Sequence, residues 1–284
     1  MDSAEGLWVE AALEAERQFV FTLGGFALEV AGAALVTHEK LPVPRFNFVQ
    51  ELGVGRERQT AFFEHALDHY FQRALRPTFR VPTPVPDHLD AGLRRFGFRP
   101  KEGSLVLMLS GKSESPAASS DVEVRPAQRR ELDLVASFWT SERERPEFRA
   151  ALDVAWAHPN PNERLVPLLA SLGGEAVAAA LVYRYRSAAG IHAVATRAPA
   201  RGRGAASAIV AFARQHAPAG SVASYSIFAD SPRLERRLET LGFRAARSFK
   251  EYELPASAEL AFPSPGPPTG PRWRPPRAPS TPGS

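Results

Sequence analysis

The chain has 284 residues, 44% of them hydrophobic and 23% charged, and it contains no cysteine. The missing thiol excludes disulfides, cysteine-ligated zinc and thiol catalysis. A formal charge of +4 and a pI near 9.7 are compatible with a polyanion partner, but no stretch interleaves basic with aromatic residues as a base-stacking surface does, so nucleic acid is not an expected partner.

The start, MDSAEGLWVEAALEAERQ, is acidic and amphipathic where a secretory signal is basic and then apolar. The most apolar run, FVFTLGGFALEVAGAALV, carries Glu29 and the pair Gly24-Gly25. It reads as a β-hairpin turning at the glycines, not as a membrane span. The expectation is a soluble, cytoplasmic protein without membrane contact. Further on, HALDHY places His65 and His69 at a zinc-ligand spacing on one helix face. No third ligand stands out downstream, and no metal is expected.

The small-polar stretch SGKSESPAASS, Ser110–Ser120, separates two folded parts. The organisation predicted is residues 1–110 as a first domain, 111–120 as linker, 121–254 as a second domain and 255–284 as a tail. The tail is too rich in proline to build helix or sheet and is expected to be disordered. The two parts rhyme. HLDAGLRRFGFRPKEGSLVLML in the first resembles RLERRLETLGFRAARSFKEYEL in the second, and their Gly97-Phe98 and Gly242-Phe243 pairs stand 145 positions apart. Both read as a helix, a Gly-Phe-Arg exit and a terminal strand, the mark of an internal repeat.

In the second part the periodicity predicts a strand at 122–125, helices at 131–138 and 146–156, and then three antiparallel strands, RLVPLLASL, AVAAALVYRY and GIHAVAT. The loop TRAPARGRGAAS follows, then helix AASAIVAFARQHA, strand SVASYSIFA, helix SPRLERRLETL and strand RSFKEYEL. This is a mixed α/β sheet flanked by helices.

The loop lies between a strand and a helix. Its glycines let backbone N–H groups approach an anion, the helix N-terminus adds its dipole, and Arg201 and Arg203 add charge. A solvated basic turn is the plainer alternative. The P-loop pattern G-x-x-x-x-G-K-[ST] occurs nowhere, and the dinucleotide pattern G-x-G-x-x-G fails at Ser207.

Arg201-Gly202-Arg203-Gly204-Ala205-Ala206 does match [QR]-x-x-G-x-[GA], the acetyl-coenzyme A loop of the GNAT acyltransferases, and ADSPRLERRLETLGF resembles that family's helix ending in L-G-F. The second part therefore resembles a GNAT domain over residues 122–254. The whole chain then reads as two tandem GNAT-like mixed sheets, the first a degenerate copy. The resemblance implies that the strand at 190–196 splays from the one at 222–229. Acetyl-CoA would lie between them, its pantetheine arm on the backbone near Val194 and Thr196 and its pyrophosphate on the amides of Arg201, Gly202, Arg203, Gly204, Ala205 and Ala206. The implied reaction is direct attack of a primary amine, of a small molecule or a peptide, on the thioester. Two other readings stay open: a coenzyme A-binding regulatory or scaffold protein without turnover, and acetylation of a thiol-sugar amine such as the mycothiol precursor.

The acid and base are less marked. Many members of the family carry a tyrosine four residues before the Gly-Phe glycine, where this chain has Leu238. Tyr225 and Ser231 are substitute acids, although Ser231 before Pro232 also reads as a helix cap. His192 and Glu175 are candidate bases, His192 for its ordinary pKa. Shifting the loop back by 145 gives Arg56-Glu57-Arg58-Gln59-Thr60-Ala61, with Gln59 opposite Gly204. A Cβ there obstructs close backbone approach, so the first part is expected to have lost its cofactor loop and to serve packing or to wall the substrate cleft.

Overall fold

The computed structural model describes residues 3–50, 52–110, 121–158, 164–217, 222–228 and 232–255; the linker, the proline-rich tail and Ser231 lie outside them. Helix α1 (Ser3–Thr22) stops where Gly24 adopts φ +102° and the Gly24 and Gly25 N–H groups bond back to the carbonyls of Phe21 and Val20. The glycine pair is thus a helix terminator. The hairpin expected there turns later, at Ala31-Gly32, between β1 (Phe26–Val30) and β2 (Ala33–Thr37). The first half continues with β3 (Phe48–Gln50), α2 (Gln59–Phe71), β4 (Thr78–Pro82), α3 (Asp87–Arg95), β5 (Arg99–Pro100) and β6 (Leu105–Ser110).

The second half comprises β7 (Val122–Pro126), α4 (Leu132–Ala136), α5 (Arg145–Trp156), β8 (Leu165–Leu172), β9 (Glu175–Tyr185), β10 (Ala188–Thr196), α6 (Ala205–Gln215), β11 (Val222–Phe228), α7 (Pro232–Thr240) and β12 (Arg244–Glu253). A shift of 145 carries α3 onto α7 residue for residue, and α2 onto α6 and β4 onto β11 to within one residue at either end. The repeat is therefore structural and free of insertions across this stretch.

The two mixed sheets expected from the repeat are joined into one. The strand order is β1-β2-β3-β4-β12-β6-β11-β10-β9-β8-β7, with β5 beside β12. The last strand of each half has crossed into the other. β6 lies between β11 and β12, both from the second half, and β12 lies between β4 and β6, both from the first. Neither exchanged strand has a neighbour from its own half. Helices α1, α4 and α5 cover one face of the sheet, while α2 with α3 and α6 with α7 cover the other. All six residues of β6 are buried, as befits a strand covered on both faces.

A buried ion triad fastens this seam. Arg80 of β4 donates from Nη1 to Glu16 of α1 and from Nε to Glu251 of β12, both at 3.0 Å, and its guanidinium lies 3.8 Å over the Phe48 ring. Lys101 also approaches Glu251, at 3.4 Å.

Three histidines are buried in their neutral form. His38 accepts the Leu41 N–H at Nδ1 and donates from Nε2 to the Leu23 carbonyl, while His69 bonds Thr37 Oγ1 at 2.9 Å. Burial is the largest cause depressing all three: His69 falls from 6.5 to about 4, and His38 and His192 shift the same way. A depressed histidine contributes stability that is whole above its unfolded pKa and is lost as pH falls toward the folded one. The expected result is a Tm lower by several degrees at pH 4.5 than at pH 7 in a buffered thermal scan, with much of the slope removed in His69→Gln.

A forked strand pair and an uncapped helix

Strands β10 and β11 run parallel and pair from Ala188 with Val222 to Ile191 with Tyr225. There the pairing stops, although β10 continues to Thr196 and β11 to Phe228. The cause lies in β10. Its register against β9 shifts between His192 and Ala195, and Ala193 takes φ +50°. Such a bulge bends its strand, and here it steers β10 away from β11 and opens a fork with its vertex at Ile191 and Tyr225. Val194 and Thr196 lie beyond the vertex, on the arm that has left β11.

At the end of that arm a turn at Ala198–Ala200 leads into the loop. Gly202 takes φ +80° and Gly204 φ +88°, conformations costly for any side chain. A Cβ at Gly202 would meet nothing within 4 Å, so its outer side is open space. Gly204 is the N-cap of α6 and no side chain caps the helix, which leaves its first N–H groups pointing outward. Arg201 and Arg203 are exposed and, among the described residues, make no ion pair. Arg237 of α7 donates to Ser207 Oγ at 2.9 Å and ties the loop's end to the next helix. The Arg201 and Arg203 N–H groups, expected among the pyrophosphate donors, are taken by the Ala198 and Ala200 carbonyls at 3.2 and 3.3 Å; the helix N-terminus at Gly204 with the two arginines beside it still suits an anion.

The first half shows what closing such a site takes. At the positions of Arg201–Arg203 stand Arg56–Arg58, coiled into a tight turn in which the Arg58 N–H bonds to the Gly55 carbonyl. The Glu57 carboxylate folds against Gly55, where an added Cβ would meet it at 2.5 Å. Gln59 is buried and donates from Nε2 to the His88 carbonyl at 2.6 Å, in space that Gly92 leaves free. The strands are closed as well: β3 pairs with β4 at Phe48 and Val49, whose counterparts Ala193 and Val194 have left β11.

The catalytic candidates divide between the faces. Tyr225 stands at the fork's vertex, half-buried against the α6 cluster. Burial raises its phenol pKa, against which the nearby Arg45 pulls it down, so the hydroxyl is protonated at neutral pH. His192 lies on the opposite face, stacked on Phe19 with centroids 4.2 Å apart. It is 6% exposed and its Nε2 is buried without a hydrogen-bond partner. Burial, reinforced by Arg45 and Arg80, holds it well below the usual 6.5. Leu238, where a tyrosine would stand, is a buried core residue of α7 itself. Glu175 is at the surface, 3.5 Å from Arg197.

Sequence reasoning missed the cleft beside the bulge. A cavity of about 380 Å³ opens at Ala193 between the loop carrying Leu41, Arg45 and Phe46 in the first half and Trp139 and Phe148 of the second. Its lining is mostly apolar, and Trp139 Nε1 is buried there without a partner. Only the φ of Ala193 marks its floor, and alanine carries no sequence signal for that conformation.

Residues 128–243 match the model of the acetyltransferase (GNAT) family. Together with the fork and the loop, this gives the second half a GNAT-family acetyltransferase domain, which makes the chain a transferase. Among solved structures, the chain is similar to a GCN5-related N-acetyltransferase from Kribbella flavida at a TM-score of 0.62 and 15% identity, covering 86% of this chain and 95% of that one. A GCN5-related N-acetyltransferase from Sphaerobacter thermophilus gives 0.56 at 16% identity, covering 87% and 90%. A tandem GNAT protein from the clavulanic acid biosynthesis pathway gives 0.54 at 13% identity, covering 74% and 75%. At these identities the likeness is one of fold. No curated protein matches the sequence.

Proposed function

We propose that the second half transfers an acetyl group from acetyl-CoA to a primary amine. The observation that carries this reading is the fork at Ile191 and Tyr225 running directly into an uncapped helix N-terminus with two positive-φ glycines. The amides of Gly202, Gly204, Ala205 and Ala206 hold the pyrophosphate, helped by the side chains of Arg201 and Arg203. The β10 arm offers its backbone at Val194 and Thr196 to the pantetheine chain, and the Val194 N–H meets the oxyanion as the amine adds. When bound, the thioester supplies the acyl carbon. Tyr225, kept protonated by burial, stands where it can return a proton to the leaving thiolate. The acceptor enters through the mostly apolar cleft at Ala193, so the first half contributes a wall to the acceptor site. His192 is sealed behind the strand against Phe19, so water in the cleft is the better proton acceptor for the amine.

A second reading keeps one observation on its side. Leu238 in the core removes the family's usual acid, as expected of a coenzyme A-binding regulator without turnover. Thiol release from acetyl-CoA over a panel of amines, including an amino sugar bearing a masked thiol, separates the two. Acetyl transfer predicts thiol release with at least one amine and a kcat lower by about 10²-fold in Tyr225→Phe. An unchanged kcat removes Tyr225 from the mechanism, and binding without release under any amine favours the regulator.

A further inference from the structure

A second cavity, of about 590 Å³, opens at the opposite end of the GNAT half, beside the last turn of α6. The 11 residues of α6 set it roughly 16 Å from the loop along the helix axis. Its walls are the first residues of β8, the end of β9, Phe212 and His216 at the end of α6, Trp156 at the end of α5 and His158 just beyond it. Among the described residues, the lining contains two arginines and two histidines and no carboxylate.

The charge arrangement is unfavourable as it stands. Arg164 and Arg184 share the cavity, and among the described residues neither makes an ion pair. Arg184 donates from Nη2 to the His216 carbonyl at 2.8 Å, which caps the helix end. That bond accounts for one nitrogen only, since its Nε is buried without a partner. His158 Nδ1 is in the same state. Proximity to Arg164 lowers the Arg184 pKa further after burial has done so, the signature of two cations facing each other. Buried donors left unmade are costly, and a like-charged pair without a counter-ion adds to that cost.

Flat surfaces complete the site. Trp156 lines one side, and on another Phe212 stacks with His216 at 3.8 Å and 15°. His216 Nδ1 donates to the Phe212 carbonyl at 2.8 Å, fixing the ring's orientation. We infer that this cavity binds a planar aromatic anion, its ring against Trp156 and the Phe212–His216 pair and its carboxylate or phosphate between Arg164 and Arg184. The volume falls in the range of small-molecule sites, and two guanidiniums suit either anion. The site is separate from the acyl-transfer site, and nothing in it depends on that reading.

The test is calorimetric titration of the full chain, with coenzyme A in excess, by indole-3-acetate as the carboxylate probe and phenyl phosphate as the phosphate probe. Expected are saturable binding of at least one probe at a single site, no saturable heat from indole-3-ethanol, and affinity at least fivefold weaker in Arg164→Gln. Arg184→Gln weakens it further. Should that variant lose its fold by circular dichroism, Arg164→Gln, whose side chain is exposed, decides alone. Absence of saturable binding, equal binding of the neutral alcohol, or unchanged affinity in Arg164→Gln would overturn the inference. Because the variants locate the binding, the result holds whether or not coenzyme A itself binds.

Discussion

Replacing Arg80 by alanine lowers the free energy of unfolding by about 3–5 kcal/mol, the usual effect of removing one partner from a buried ion pair. Arg80 is 5% exposed and is the cation that bonds both Glu16 and Glu251, which then face each other with no bonded cation between them, Lys101 touching Glu251 and Arg45 acting on both from farther off. The loss reaches beyond local packing because the three residues sit on α1, β4 and β12, so the triad joins the covering helix to the exchanged strand. Urea unfolding followed by circular dichroism measures the change. Restoring charge balance with Glu16→Gln and Glu251→Gln in the Arg80→Met background recovers most of the stability, since an uncharged cluster of similar volume avoids the desolvation cost. A loss below about 1 kcal/mol in Arg80→Ala would mean that the triad is not what fastens the seam.

The strand exchange carries the second large effect. A fragment of residues 1–110 does not fold alone, and neither does one of residues 121–284. In the first, β6 has lost both neighbours, β11 and β12; in the second, β12 has lost β4 and β6. Each fragment would also expose an unpaired edge, β4 in one and β11 in the other, with the aggregation that open edges invite. Co-expressed, the fragments associate one to one and recover the circular dichroism of the intact chain, because the only break falls at the linker. Size-exclusion chromatography of the separate and combined fragments checks this. A monomeric, cooperatively melting 1–110 fragment would contradict it.

Much of the fold was legible because each element carries its own period. The helices at 87–95 and 232–240 and the Gly-Phe exits after them were visible in the repeat, and Gly97 and Gly242 take φ +85° and +81°. The exchange of β6 and β12 was not, because alternation records which face a residue occupies and not which strand lies beside it. One clue was present in SLVLML: an unbroken apolar run reads as a strand covered on both faces, in the interior of a sheet. Gly24-Gly25 misled for a related reason, since a glycine pair ends a helix as readily as it turns a hairpin. At the candidate site, the turn before α6 was legible from Gly202 and Gly204, where the backbone takes positive φ. The bulge at Ala193, the cation at Arg45 and the stacking of His192 on Phe19 arise from contacts between distant segments, which no local pattern encodes.

On the proposed function, one of the two related halves binds acetyl-CoA, while the other has closed its loop with Gln59. Calorimetric titration of the full chain with acetyl-CoA tests it most directly, run beside Gly204→Ala and Gly204→Glu. Both variants carry the penalty of a side chain at φ +88°, but only the glutamate sets bulk and negative charge in the pyrophosphate cradle. One site per chain is expected, retained with reduced affinity in Gly204→Ala and lost in Gly204→Glu. Two sites per chain, no saturable binding, or full affinity in Gly204→Glu would contradict it.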